Sequence, residues 1–235
     1  MSNLADLSAT ELRRKIAERE VSAVESVQAC LERIHQLNPA LNAIVTLNPG
    51  ALDDAALLDR RMKQGEDPGP LCGLTVGIKD VTPVAGLRTT FGSPLYSDYV
   101  PKEDALVVRR LREAGAVIIG KTNCPEFAAG ANTFNDVFGR TRNPWDTAKS
   151  AGGSTGGGAA ALATGMIALA EGTDLGGSLR IPAAFCGVVG LRPSLGLVPV
   201  HPTDWVWDTL QVDGPIARTA GDVGLMLHAI AGPSE

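Results

Sequence analysis

The chain has 235 residues, of which 44% are hydrophobic and 20% charged, so it can bury a substantial core and is not disordered throughout. This length suits one compact α/β unit, or part of a larger one, better than two enzyme domains. The 21 basic and 26 acidic residues give a net charge of −5. That balance argues against a main role in gripping nucleic acid or an anionic membrane, because phosphate binding needs a basic field.

Four cysteines lie far apart along the chain, at Cys30, Cys72, Cys124 and Cys186. Because none has a close partner in sequence to chelate zinc or form a redox dithiol, we expect reduced, buried thiols and no metal site. Residues 1–20 are polar and helical in pattern, and they lack the apolar core of a secretory signal. This favours a cytoplasmic location.

The N-terminal third predicts two capped helices, a strand and a third helix. Ser8 or Thr10 can cap a short helix through Lys15. Ser22 can cap a second helix, whose apolar residues recur at helical spacing until Asn38-Pro39 stops it. The next two elements are a short strand from Leu41 to Leu47 and a polar helix from Ala51 to Lys63.

The central part of the chain predicts strands joined by helical crossovers. Residues 74–79 alternate like a strand, and residues 104–113 have the amphipathic pattern of a helix. Residues 116–120 are a short apolar run of the kind buried in a parallel sheet. This order predicts an α/β core.

Residues 151–170 carry no charge, which raises the question of a membrane span. After the glycines only about a dozen apolar positions remain, too few to cross roughly 30 Å of hydrocarbon. We therefore predict a helix buried in the core, followed by a strand at residues 167–169. The remaining predicted elements are a short helix or turn at 182–185, an extended segment at 188–191 and a capped helix from Thr219 to Ile230.

Two chemistries suggested by this segment are poorly supported by the residues around it. It is rich in glycine, whose amides can bind phosphate at a helix N-terminus, but the Walker pattern needs a lysine after the glycines and none follows Lys149. A serine hydrolase usually needs a histidine base, and His35, His201 and His228 are not close in sequence to a GxSxG elbow. A lysine base stays open, because burial lowers the pKa of an ammonium group.

Five motifs carry a resemblance that covers nearly the whole chain: Gly77–Asp80, Gly120–Asn123, Ala151–Ala183, Gly190–Pro193 and Gly214–Arg218. Together they resemble the amidase signature family, whose enzymes use a Ser-cis-Ser-Lys triad. The resemblance implies an α/β fold with a mixed sheet flanked by helices, and no metal or cofactor.

The same resemblance assigns three catalytic residues. Ser178 is implied to be the nucleophile, Ser154 the bridging serine that follows Gly153 through a cis peptide bond, and Lys79 the base. Ser154 lies 24 residues before Ser178 and 75 after Lys79, as the family arranges its triad. On the residues alone, other roles remain: Ser178 suits a helix cap, Ser154 an N-cap for a helix at 156–163, and Lys79 a solvated lysine at a strand end.

Further residues around the nucleophile are expected to support it. The resemblance implies an oxyanion hole made by four backbone N–H groups, those of Leu175, Gly176, Gly177 and Ser178. We expect Asp174 and Arg180 to pair and hold this loop, with ordinary surface ions as the alternative. Thr155 stands where the family usually has a second serine, which predicts an altered supporting contact. Asp80 follows Lys79 directly, but strand alternation points the two side chains to opposite faces.

The resemblance implies an amide hydrolase that cleaves a carboxamide C–N bond through an acyl-enzyme. Trp205 and Trp207 are candidate pocket residues for an apolar or aromatic acyl group, and packing against another part of the fold is equally consistent with the sequence. Two alternatives remain. One is the amidase subunit of a tRNA-dependent amidotransferase, which works on glutamine, and the other is a non-catalytic amidase-like fragment used for assembly.

We expect one amidase-signature domain over residues 1–235, with a helical region at about 1–70 and a catalytic core at about 71–235. Family members are usually longer, so the C-terminal part of the family fold is expected to be absent. The expected partners are a small-molecule amide substrate and either a further copy in a homo-oligomer or a complementary C-terminal segment. No direct contact with nucleic acid or a membrane is expected.

Overall fold

The computed structural model describes residues 4–203, 205 and 207–233, so both ends of the predicted domain, at 1–3 and 234–235, and positions 204 and 206 lie outside the described residues. The helices are α1 Ala9–Ala17, α2 Ala23–Leu41, α3 Ala51–Lys63, α4 Leu106–Glu113, α5 Gly156–Ala163, α6 Arg180–Cys186 and α7 Ala220–Ile230. The strands are β1 Ile44–Leu47, β2 Thr75–Lys79, β3 Val117–Thr122, β4 Phe134–Asn135, β5 Gly139–Arg140, β6 Leu169–Asp174, β7 Val189–Gly190 and β8 Val212–Ala217.

Six strands form one mixed sheet in the order β1-β3-β2-β6-β8-β7. Strand β2 runs parallel to both β3 and β6, whereas β1 is antiparallel to β3 and β8 is antiparallel to β6 and β7. Strands β4 and β5 make a separate hairpin pair. The predicted α/β class, with a mixed sheet flanked by helices, is confirmed.

Two apolar clusters cover the two faces of the sheet. Successive residues of β3 show the division, because Ile118 belongs to one cluster while Val117 and Ile119 belong to the other. The first cluster contains side chains of α1, α4 and α7, and the second contains side chains of α2, α3 and α5. All four cysteines are free and buried, as predicted.

Helix α5 is the uncharged helix predicted for the core. Its residues from Gly156 to Leu162 are all buried, in contact with the sheet. Within the part of the chain that the structure describes, no helix is both long and apolar enough to cross a bilayer.

The predicted helix caps are confirmed. Ser8 rather than Thr10 caps α1, and Ser22 caps α2, each within a complete capping box. The side chain of Thr219 accepts a hydrogen bond in the first turn of α7. These caps were predictable because each acts within its own first helical turn.

Helix α2 does not stop at Asn38-Pro39 but continues to Leu41. Pro39 lies in the last turn and has no N–H to donate, so the helix lacks one hydrogen bond there and ends two residues later. Asn42 then ends the helix in the left-handed conformation, with φ of 54°. The Asn38 side-chain oxygen accepts the next two backbone N–H groups at 2.8 and 2.9 Å, which fixes the entry into β1.

Strand β6 begins at Leu169 and runs to Asp174, so the predicted strand at residues 167–169 was too early and too short. The charged side chains of Glu171 and Asp174 interrupt the apolar pattern at positions that are nonetheless fully buried. Each finds hydrogen-bond donors in the fold, which is why a charge can lie inside the sheet.

Two glycines that follow helices offer a test of packing at matched backbone geometry. Gly65 and Gly115 have φ of +85° and +84°, but a Cβ on Gly65 would meet nothing within 4 Å, whereas on Gly115 it would lie 2.0 Å from the Pro68 carbonyl oxygen. We expect Gly65→Ala to lower the free energy of unfolding by about 1 kcal/mol. Gly115→Ala should lower it by about 2–5 kcal/mol, since a steric clash is added. Urea unfolding followed by circular dichroism measures both, and equal losses would contradict the clash.

Candidate active site

A buried lysine and a buried serine meet at the carboxyl end of β2. The Lys79 Nζ donates to Ser154 Oγ at 2.6 Å and to Thr173 Oγ1 at 2.7 Å. Lys79 and Ser154 are fully buried, and the peptide bond between Gly153 and Ser154 is cis, as the resemblance implies. The structure therefore places two of the three predicted catalytic side chains in direct contact, and Lys79 is not a solvated lysine.

Burial sets the proton affinity of this lysine. It lowers the pKa of Lys79 from 10.5 to about 8, while the nearby carboxylates of Glu171 and Asp174 act in the opposite direction. A substantial fraction of Lys79 is consequently a neutral amine at mildly alkaline pH. A neutral amine has a lone pair that can accept a proton from the serine hydroxyl.

The third predicted side chain, Ser178, lies in the loop between β6 and α6. It is half-buried and lines a cavity of about 380 Å³ together with Ser154 and Thr173. Its backbone carbonyl accepts the Thr155 N–H at 3.2 Å, which holds it beside the Ser154 segment. Within the described residues, the Ser178 hydroxyl has no hydrogen-bond partner. It is available to a molecule in the cavity.

Asp174 organises the loop that carries Ser178. It is fully buried, and its oxygens accept the backbone N–H groups of Gly177 at 2.7 Å and Leu179 at 3.2 Å. Arg180 donates to both oxygens, at 2.9 and 3.0 Å, so the predicted pairing is confirmed and the surface-ion alternative is wrong for Asp174. Arg192, whose role the sequence did not suggest, adds a contact at 3.6 Å.

The four backbone donors predicted for an oxyanion are not equivalent. The Gly177 N–H is occupied by Asp174, as described above. The N–H groups of Leu175, Gly176 and Ser178 have no acceptor among the described residues, and all three residues line the cavity. A carbonyl oxygen placed there would meet unpaired donors.

Thr155, rather than Ser154, is the N-cap residue of α5, so the capping role considered for Ser154 is wrong. The Thr155 hydroxyl lies 3.5 Å from the Thr173 carbonyl oxygen. Its methyl group occupies space beside Gly172, where an added Cβ would lie 2.4 Å away. This is a supporting contact that a serine would lack.

Asp80 turns away from Lys79, as strand alternation predicts. Its carboxylate accepts the Thr90 hydroxyl at 2.5 Å and lies near the charge of Lys121. Lys121 is a second buried lysine and donates to the Thr82 carbonyl and to Thr89 Oγ1. Its place beside the site was missed, since a lysine inside an apolar strand gives no sign of what it faces.

Three other polar residues near Lys79 were also missed: Thr173, Glu171 and Asp213. Glu171 and Thr173 are two residues apart on β6 and so point to the same face of the sheet. Asp213 lies on β8, directly opposite Thr173. The available signal was polar residues at alternate positions of one strand, which indicates a polar contact on the buried face.

The two tryptophans do not lie in the cavity of Ser178. Trp205 and Trp207 are 78% and 91% exposed and border a separate groove of about 500 Å³. Gln211 lines both cavities and so lies between them. The histidines at 35, 201 and 228 are exposed and line neither cavity. Across the described parts of the chain, no cluster of three or more His, Cys, Asp or Glu side chains is arranged to hold a metal ion.

Comparison with known proteins gives a consistent result. A family model described as Amidase matches residues 25–235. A glutamyl-tRNA(Gln) amidotransferase subunit of Carboxydothermus hydrogenoformans is 48% identical over 96% of this chain, and an acylamidase of Rhodococcus erythropolis is 45% identical over 99%. The matches cover 47% and 49% of those proteins, so the chain spans about half the length of the curated relatives it matches.

A solved structure supports the same fold. Native peptide amidase from Stenotrophomonas maltophilia matches with a TM-score of 0.90 at 37% identity. The match covers 98% of this chain and 49% of that chain.

Loss of the Asp174 charge should destabilise the protein in a pH-dependent way. Burial alone would raise the pKa of Asp174, but Arg180 and the backbone donors outweigh burial and hold that pKa below 3.8. The resulting stability is present above the unfolded-state pKa and is lost as pH falls through the folded-state value. We expect Asp174→Asn to lower the free energy of unfolding by about 2 kcal/mol at pH 7.

The difference between wild type and Asp174→Asn should narrow as the pH falls toward and below 3.8. Urea unfolding over a pH series measures it, with Asp136→Asn as the control because Asp136 is exposed. A difference that stayed constant with pH would show that the charge of Asp174 is not the source of the stability.

Proposed function

This chain belongs to the amidase signature family, and from that premise we propose that it hydrolyses the C–N bond of a carboxamide through an acyl-enzyme on Ser178. The observation that carries the proposal is the buried contact of 2.6 Å between Lys79 Nζ and Ser154 Oγ, next to a half-exposed Ser178 with a free hydroxyl. A serine is a weak nucleophile until a base takes its proton, and this arrangement supplies a base and a relay.

Acylation begins with two proton transfers. Neutral Lys79 takes the proton of the Ser154 hydroxyl, and Ser154 takes the proton of Ser178, whose oxygen attacks the amide carbon. Thr173 Oγ1 accepts a hydrogen bond from Lys79 Nζ at 2.7 Å, which leaves the amine lone pair directed at Ser154. These two proton transfers require no charged side chain to move into the cavity.

The tetrahedral intermediate carries its negative charge on the former carbonyl oxygen. We assign its stabilisation to the free N–H groups of Leu175, Gly176 and Ser178, while Gly177 holds the loop through Asp174. When the intermediate collapses, the amine leaves with a proton returned through Ser154. Water then attacks the acyl-enzyme by the same route and regenerates Ser178.

The cavity favours a small, uncharged carboxamide. Its walls include the apolar side chains of Phe127, Leu175 and Ile181, and no charged side chain is among its described lining residues. Burial of an apolar substituent against these walls contributes to binding. The free, buried cysteines support the cytoplasm as the place of action.

A second function is favoured by one comparison. The 48% identity with a glutamyl-tRNA(Gln) amidotransferase chain supports a glutamine-hydrolysing role that depends on partner chains. A complementary segment or a partner is also supported by the half-length match to the relatives. Ammonia release from glutamine only in the presence of partner subunits would favour this function over a free-standing amidase. A non-catalytic assembly role predicts no turnover of either substrate class.

Ser178→Ala should abolish acylation and reduce hydrolysis by several orders of magnitude, because the Ser154 and Thr173 hydroxyls in the same cavity are hydrogen-bonded to Lys79. The measurement is ammonia or amine release from aliphatic and aromatic amides, together with labelling by an activated phosphonate located by mass spectrometry. Ser194→Ala is the control, since Ser194 is exposed and lines neither cavity. Labelling at another residue, or undiminished turnover in Ser178→Ala, would contradict the assignment.

Hydrolysis should rise with pH around pH 8, because the pKa of Lys79 is about 8 and only the neutral amine accepts a proton. Lys79→Ala should reduce the rate by roughly 10²–10⁴-fold and remove this rise. The control is Lys149→Ala, whose side chain is 76% exposed. A flat wild-type profile, with acylation shown to limit the rate, would count against Lys79 as the base.

A further inference from the structure

Strand β6 holds Lys79 at both its backbone and its amine. Glu171 accepts the Lys79 backbone N–H at 3.0 Å, and Thr173 accepts Lys79 Nζ at 2.7 Å. The second oxygen of Glu171 accepts the Thr82 hydroxyl at 3.0 Å. Glu171 therefore ties the end of β2, and the residues just after it, to β6.

The hydrogen bonds of Glu171 show which charge state suits it. The Lys79 backbone N–H can only donate to it, and the Thr82 hydroxyl is placed as a donor to its second oxygen. Two buried lysines, Lys79 and Lys121, face it. Full burial raises the pKa of Glu171, but these donors and cations oppose burial and favour the anion.

Asp213 on the neighbouring strand β8 is in the opposite situation. It is only 5% exposed, and within the described residues its carboxyl group has no hydrogen-bond partner. Burial, followed by the charge of Glu171, raises the pKa of Asp213 well above its ordinary value. Of the two neighbouring carboxyl groups, Asp213 is therefore the one that keeps a proton.

We propose that Glu171 is a positioning residue for Lys79, whose anionic carboxylate fixes the end of β2 and supplies the negative charge that keeps the buried amine basic, while Asp213 is held as the neutral acid. This inference rests on the proposed role of Lys79 as the base. The other groups that face Lys79 are Asp174 at the end of β6 and Cys124 after β3. Asp174 is engaged by Arg180, and burial raises the pKa of the Cys124 thiol to about 12, so it stays neutral.

The two carboxyl groups give matched substitutions with opposite expectations. Glu171→Gln removes a negative charge, and because a nearby anion favours an ammonium group, the pKa of Lys79 should fall by about one unit. Asp213→Asn exchanges one neutral group for another of the same shape, so the pKa of Lys79 should change little. Glu171→Asp keeps the negative charge, so the pKa of Lys79 should be closer to the wild-type value than in Glu171→Gln.

The experiment titrates the lysine directly by NMR in the intact protein carrying isotope-labelled lysine, with the Lys79 signal identified by its loss in Lys79→Arg. Glu113→Gln, on the exposed end of α4, controls for loss of any carboxylate. A Lys79 midpoint that is unchanged in folded Glu171→Gln would overturn the proposal. So would an equal fall in Asp213→Asn, which decides the question even where Glu171→Gln does not fold.

This readout is independent of turnover. If the protein hydrolyses no amide and Ser178 is not acylated, the proposed function fails while the titration still decides the role of Glu171. If the protein is active, the acid limb of the rate profile should move to lower pH in Glu171→Gln by the same amount as the lysine midpoint. If Glu171→Gln is active and neither its Lys79 midpoint nor the acid limb of its rate profile moves, the proposed function stands and the positioning role of Glu171 is rejected.

Discussion

The rest of the site depends on one buried polar contact, that of Lys79 Nζ with Ser154 Oγ at 2.6 Å. A lysine inside a sheet is costly to keep charged, because its ammonium group has lost its water. The cost is limited here by a hydroxyl from Thr173 and by the carboxylate of Glu171 on the neighbouring strand β6. The surroundings of Lys79 thus give an amine whose pKa is lower than that of an exposed lysine.

Strand direction explains how distant parts of the sequence reach this amine. Strands β2 and β6 are parallel neighbours, so their carboxyl ends lie at the same edge of the sheet. Lys79 ends the first strand, and Asp174 ends the second and leads into the loop of Ser178. Ligand sites at the carboxyl ends of strands are common in α/β sheets, since loops converge there without interrupting the core.

Local features were predictable from the sequence, and long-range polar contacts were not. Ser8, Ser22 and Thr219 were identified as caps because each acts within one helical turn. The pairing of Asp174 with Arg180 was predicted from a short separation on one loop. In contrast, Glu171 and Asp213 are neighbours only because β8 pairs antiparallel with β6. No local sequence pattern predicts that pairing. The catalytic roles proposed for Lys79, Ser154 and Ser178 came from family resemblance, which supplied a spacing that physical patterns alone leave ambiguous.

The contact between Thr155 and Gly172 links two positions on different elements by volume. The threonine methyl fills the space that the absent Cβ of Gly172 leaves open, so each residue sets the size allowed at the other. Related chains should therefore vary at these positions together, with a smaller residue at 155 accompanying any side chain at 172. Since Thr155 also donates its N–H to the Ser178 carbonyl, a paired exchange at 155 and 172 could shift Ser178, the proposed nucleophile, by fractions of an ångström while Lys79, Ser154 and Ser178 stay unchanged.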